Sequence, residues 1–174
     1  MKKINALERR YRNTIEFFSK HVHKEDRILD LGIDNDFSKH LVSLGYNIQN
    51  TKGEDLDLET DILTHYGRYN VITAFEILEH LLSPFELLRK LPSDKLIATI
   101  PLRLWFASAY RNISDPLDRH YHEFEDWQFD WLLEKSGWKI ISTEKWTSPS
   151  NKLGIRPMLR YIYPRYYAVY AERH

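Results

Sequence analysis

RILDLGIDNDFS, residues 27–38, is a short apolar strand that runs into an acid and then a glycine. A glycine directly beyond a strand lets the backbone approach a ligand closely, and the helix that follows presents free N–H groups at its start. The loop keeps only Gly32; where a dinucleotide loop carries its later glycines, this chain has Asp34, Asn35 and Asp36. With Asp30, these acids set anion against anion for a pyrophosphate, and they suit a ligand with a cationic centre. A plainer role for Asn35 or Asp36 is to cap the helix that begins at Phe37, which contributes about 1 kcal/mol.

The same alternation extends outward in both directions. Upstream, Ile4, Leu7, Tyr11, Ile15, Phe18 and Val22 recur at helical spacing. Downstream, DFSKHLVSLGY predicts a compact helix with Phe37, Leu41 and Leu44 inward and Gly45 at its C-terminal cap. YNIQNT predicts a second strand, GEDLDLETDIL a weak acidic third, and RYNVITAF a buried strand rich in β-branched residues. Ser83 and Pro84 are placed to open a helix, KLIATI predicts a buried strand, and EDWQFDWLLEKSGW predicts an amphipathic helix with Phe124, Trp127, Trp131 and Leu132 inward. Two closing strands, WKIISTEKW and RYYAVYAERH, have no full helix between them, which predicts an antiparallel edge. Strands apolar on both faces, alternating with helices, predict an α/β, Rossmann-like, doubly wound and mostly parallel sheet with helices on both faces.

Bulk properties narrow the class. The 174 residues carry 43% apolar side chains, enough for one cored domain spanning residues 1–174. Formal charge balances at zero, giving no global attraction to nucleic acid or an anionic membrane. The absence of cysteine excludes disulfides, thiolate metal sites and cysteine nucleophiles. A charged N-terminal stretch and the lack of a long apolar run fit a soluble, cytoplasmic protein without a signal peptide.

In such sheets ligands sit beyond the C-terminal strand ends. Asn50, twenty residues past Asp30, stands where a ribose-binding acid is expected, and its amide oxygen can accept a hydroxyl's hydrogen bond. Glu79 and His80 follow a strong strand closely; they are either acid–base machinery or a packed structural pair. His120 and His122 lie near Asp118 and Glu123, but i,i+2 spacing with no third ligand argues against a metal, and none is expected. A histidine that positions or deprotonates a substrate fits better, with His120 the foremost. Residues 152–167 hold four cations and no acid among tyrosines, a surface for an anionic or aromatic partner or an ordinary solvated edge.

In order and spacing, these segments resemble class I S-adenosylmethionine-dependent methyltransferases, in particular the small subgroup similar to quinone-biosynthesis methyltransferases. ILDLGIDNDFS resembles the family's first motif, and YNVITAFEILEHLLSPFELLRKL, with its Glu-His pair, is the most specific match. KLIATIPL resembles the fifth strand and HYHEFEDWQFDWLLEKSGWKII the histidine-containing loop, helix and sixth strand. The resemblance implies a seven-stranded sheet with an antiparallel last strand. It implies S-adenosylmethionine as cofactor, S-adenosylhomocysteine as product, and in-line methyl transfer to a small molecule. Asp30, Gly32, Ile33 and Asp34 would meet the methionine end of the cofactor, and Asn50 the ribose. Asp57 would face the adenine amino group with Leu58 beside the ring, and Phe75 and Glu76 would line the pocket near the methyl group. The resemblance covers Arg27 to the C-terminus and implies a substrate-side insert at 101–123; the sequence adds an N-terminal helix within residues 1–24 and an insert between the last two strands at 147–165. Tyr11, Trp105, Phe106, Tyr110 and His122 would contact an aromatic or anionic acceptor. The missing glycines and the amide at Asn50 depart from the pattern and motivate an alternative, a non-catalytic binding or regulatory protein. A nicotinamide enzyme is disfavoured by the same loop.

Overall fold

The computed structural model describes residues 6–150 and 152–174; Ile4, expected to open the first helix, lies outside them. Among the described residues the chain forms α1 (Ala6–Ser19), β1 (Arg27–Asp30), α2 (Asp36–Ser43), β2 (Asn47–Asn50), β3 (Val71–Phe75), α3 (Pro84–Lys90), β4 (Lys95–Pro101), α4 (Asp126–Lys135), β5 (Trp138–Thr147), α5 (Ile155–Leu159) and β6 (Pro164–Arg173). One sheet carries the strands in the order β2-β1-β3-β4-β6-β5. The first four are mutually parallel, and β6 runs antiparallel to both of its neighbours.

Period-two alternation divides the central strands between two cores. Ile28, Val71, Ile97, Ala168 and Tyr170 face one side, where they pack with Phe17 and Phe18 of α1 and Phe37 and Leu41 of α2. Leu29, Ile72, Leu96, Ala98, Val169 and Ala171 face the other, against Leu87 and Leu88 of α3 and Phe129 and Leu133 of α4. That two-sided burial is why these strands read as continuous apolar runs.

Four expectations change. The sheet has six strands among the described residues. The acidic third strand is instead a run of turns and a 3₁₀ helix, Thr60–Tyr66. Acids at 54, 55, 57, 59 and 61 leave Leu56 and Leu63 buried, with Ile62 and Tyr66 partly buried against the core, a spacing that does not alternate as a pleated face requires. In α4 the inward residues are Phe129 and Leu133; Trp127 and Trp131 lie exposed, their rings 4.7 Å apart edge to face. Leu44 is likewise partly exposed, whereas Phe37 and Leu41 are buried. No helix among the described residues is long and apolar enough to cross a membrane.

Candidate active site

The chain runs from β1 outward to β2, then returns to place β3 on the opposite side of β1. A crevice opens at such a reversal. Here it widens into a cavity of about 530 Å³, within the range of small-molecule sites. Its floor is the ends of three adjacent parallel strands: Asp30 and Leu31 after β1, Phe75, Glu76 and Ile77 after β3, and Thr99 and Pro101 at the end of β4. Arg10, Tyr11 and Thr14 of α1 close one side, Arg165 and Tyr166 of β6 another, and Tyr110, Asp118 and His120 a third.

The first loop is built from local hydrogen bonds. Asn35 is the N-cap of α2: its side chain accepts from the Phe37 and Ser38 N–H groups, and the Ser38 hydroxyl accepts from the Asn35 N–H. This satisfies the helix's orphan donors reciprocally. Gly32 has φ +104°, and its N–H donates to the Thr51 hydroxyl at 2.7 Å. Asp34 accepts from the Ser38 hydroxyl and pairs with Lys39, and Ile33 is exposed.

Asp30 is buried, yet its carboxylate touches no cation. It accepts hydrogen bonds from the Thr73 hydroxyl at 2.6 Å and the Asn50 amide at 3.0 Å. Burial outweighs these bonds and pushes its carboxyl up to about 7. Asn50 also donates to the Gly32 carbonyl, so it braces the loop from behind rather than lining the cavity.

Two further acids crowd the β3 end. Glu76 has φ +55°, the sole non-glycine positive φ among the described residues, and such conformations are kept where the surroundings over-determine them. Burial raises its carboxyl, while Arg10 at 3.5 Å, Thr99 and Arg165 pull it back. Glu79 is buried and raised well above the carboxylate range by burial and then by Glu76. The Glu79 carbonyl accepts from the Tyr121 and His122 N–H groups, at 2.9 and 3.2 Å, which ties residues forty positions later to this loop. His120 therefore lies between the rings of His80, 4.7 Å away, and Tyr110, 4.4 Å away. Burial and the neighbouring His80 lower its pKa, which keeps the imidazole neutral at pH 7.

The cavity thus gathers Asp30, Asn35, Phe75, Glu76, Glu79, His80, Tyr11, Tyr110, Asp118 and His120 from the residues singled out in the sequence. The others lie elsewhere. Gly32, Ile33 and Asp34 form the adjoining loop. Asp57 accepts from the Leu82 and Ser83 N–H groups at 2.9 and 2.8 Å, so it caps α3 where Ser83 makes no side-chain cap, and Leu58 is exposed. Trp105 and Phe106 pack against each other and Tyr163, and His122 stacks on Phe124. Arg10, Thr14 and Arg165 were not anticipated as lining residues. The spacing of Arg10 and Thr14 on one helix face, beside Tyr11, signalled the first two, and Arg165 belongs to the cationic stretch 152–167. We expect Asp57→Ala to destabilise the fold by about 1 kcal/mol in urea titrations, because it frees two N–H groups at the start of α3.

An open crevice at the β1/β3 reversal, with acids on its floor and aromatic rings at its mouth, is where this fold binds ligands, and several solved methyltransferase structures share the fold. A methyltransferase from Archaeoglobus fulgidus superimposes with a TM-score of 0.59 at 17% identity, covering 96% of this chain and 93% of that one. One from Methanosarcina mazei gives 0.61 at 11%, covering 90% and 96%. The N-terminal domain of EvdMO1, solved with S-adenosylhomocysteine bound, gives 0.54 at 12%, covering 94% and 80%. At these identities the likeness is one of fold. No curated protein sequence matches the chain significantly. The family described as "Methyltransferase domain" matches residues 4–143, and the chain belongs to it. By that membership the chain is a methyltransferase. These comparisons reach the class and do not extend to a quinone-biosynthesis subgroup.

Proposed function

We propose that this methyltransferase moves the methyl group of S-adenosylmethionine to a small-molecule acceptor held in the cavity at the strand ends. The observation that carries this reading is the lining itself: the buried carboxylate of Asp30 beside the Tyr11, Phe75 and Tyr166 rings. A sulfonium and an ammonium group suit that combination, since acids and aromatic faces both attract cations. The methionine end would lie along Asp30–Gly32 and the methyl group near Phe75 and Glu76. The adenine would extend toward Ile33 and Leu58, whose exposed side chains offer an apolar surface outside the cavity.

The acceptor would enter from the side formed by Tyr110, Asp118 and His120, within residues 101–123, and Arg10 and Arg165 favour an anionic or aromatic molecule. In the transfer, the acceptor's lone pair bonds to the methyl carbon while the C–S bond breaks and its electron pair stays on sulfur. Positioning supplies much of the rate, and His120 is the group placed to orient or deprotonate the acceptor. Calorimetry should show saturable binding of S-adenosylhomocysteine; no binding, with or without a panel of phenolic and carboxylate acceptors, sinks the proposal. Tyr11→Ala, which opens the α1 side of the cavity, should weaken that binding about tenfold, the loss of one aromatic contact of roughly 1–1.5 kcal/mol.

A further inference from the structure

Glu79, His80 and His120 each offer one ligand atom, and the three atoms lie within 4.8 Å of one another. We propose that they form a divalent transition-metal site on the wall of the cavity, one that takes Mn²⁺, Co²⁺ or Zn²⁺. Metal binding is independent of the methyl-transfer reading; the role assigned to the metal below rests on it.

Four observations converge. First, the His80 Nδ1 faces the Arg119 carbonyl at 3.1 Å. The tautomer that satisfies this contact carries its proton on Nδ1 and turns the Nε2 lone pair toward Glu79. A backbone carbonyl behind the distal nitrogen is how metal-binding imidazoles are oriented. Second, His80 Nε2 and Glu79 Oε1 are 3.7 Å apart, too far for a hydrogen bond, so two electron-pair donors face each other across a gap. Third, three buried atoms in this corner lack a hydrogen-bond partner: Glu79 Oε2, Glu76 Oε1 and His120 Nδ1. Buried polar atoms are rarely left without one, and Glu79 is only 1% exposed. Fourth, Glu76 is paired with Arg10 at 3.5 Å, whereas the buried Glu79 has, among the described residues, only the His80 ring, at 3.7 Å, within ion-pair reach, so a cation here would compensate Glu79.

The donor set selects the metal. Two imidazoles and a carboxylate favour first-row transition ions over Mg²⁺ and Ca²⁺, which prefer all-oxygen shells. Metal–ligand bonds of about 2.1 Å put tetrahedral ligand atoms roughly 3.4 Å apart, so the site would close by about 1 Å as the ion enters. The two imidazoles, neither of them fully buried, can supply that movement. The remaining positions would face the cavity, where an acceptor oxygen could bind and lose its proton more readily. His120 then holds the ion instead of acting as a base.

The test is titration of metal-stripped protein with Mn²⁺, Co²⁺ and Zn²⁺ by calorimetry, without S-adenosylmethionine, and with Co²⁺ followed by its visible absorption. We expect one saturable site, a Co²⁺ spectrum showing nitrogen ligation, and a loss of affinity of at least tenfold in Glu79→Gln and in His120→Gln. Losing an orienting partner alone costs 10–100-fold, about 1.4–2.7 kcal/mol. His122→Gln, one face away, should bind like the unmodified protein. Thermal melting of each variant separates lost ligation from lost folding. Stoichiometric binding that survives both substitutions in folded variants, or no binding by any of the three ions, overturns the site. S-adenosylhomocysteine binding measured on the same samples keeps a failure of this proposal distinct from a failure of the methyltransferase reading.

Discussion

Gly32→Val is expected to abolish measurable S-adenosylhomocysteine binding and to destabilise the fold by about 2–4 kcal/mol. Two effects add. The φ of +104° lies in a region that side chains rarely adopt, which costs roughly 1–3 kcal/mol for a residue other than glycine. A Cβ built there would meet Ile77 Cδ1 at 3.2 Å, so even the first carbon crowds the loop after β3, and valine adds two methyl groups beyond it. The Gly32 N–H and carbonyl are held by Thr51 and Asn50, which leaves the backbone little freedom to turn away. Because the crowded side is the one shared with Ile77, a lining residue, the damage should reach the cofactor as well as the fold. Gly67→Ala is the control. Its φ is +77° but nothing lies within 4 Å of its Cβ, so it should cost about 1 kcal/mol and leave cofactor affinity unchanged. A folded Gly32→Val protein that binds S-adenosylhomocysteine within threefold of the unmodified chain would refute this.

The second large effect should be a pH dependence carried by Asp30. Its carboxyl titrates near 7 in the folded chain against an ordinary value of 3.8, so between those values the folded state holds a proton that the unfolded state has lost. Stability contributed by this group is therefore fully present below about pH 4, falls as pH rises toward 7, and is lost above that. Three units correspond to about 4 kcal/mol as an upper bound. Asp30→Asn should flatten the dependence: similar stability at pH 4, and a gain of about 1–3 kcal/mol at pH 8, reduced by the hydrogen bond from Thr73 or Asn50 that an amide cannot match. Urea denaturation across pH 4–8 reads this directly, and the variant-minus-parent difference cancels the other titrating groups. A cationic ligand against the same carboxylate would pull its pKa down. Binding of S-adenosylmethionine should then release a proton near pH 7, tighten as pH rises from 6 to 8, and lose that dependence in Asp30→Asn. A pH-independent difference in stability between the two proteins would remove the argument.

Both predictions start from residues visible in the opening stretch, and that stretch carried much of the fold. Periodicity alone specified helix, strand and cap at 27–46, because Ile28 and Leu29 must bury on opposite faces and Asn35 and Gly45 have side chains, or none, that suit chain reversal. The antiparallel edge followed from the absence of a helix long enough to cross over between β5 and β6. The acidic third strand and the inward face of α4 were misread for one physical reason: local patterns are overridden by what the rest of the chain presents. Trp127 and Trp131 have the hydrophobicity of core residues. The sheet surface under α4 is filled by Phe129 and Leu133, which are rotated away from them.

The sequence by itself determined the layered α/β architecture, the place of Asp30 at the strand end that lines the cavity, and the membership that the order of segments implied. Those properties reside in short-range periodicity and in the conformational limits of single residues. Only the tertiary structure decided which acid went where. Asp57, read as a ligand contact, caps α3. Asn50 braces Asp30. Glu79 and His80 meet His120 because two N–H groups forty residues on bind the Glu79 carbonyl. Polar side chains act through partners distant in the chain, and burial sets their charge. Neither property has a period that a sequence can display.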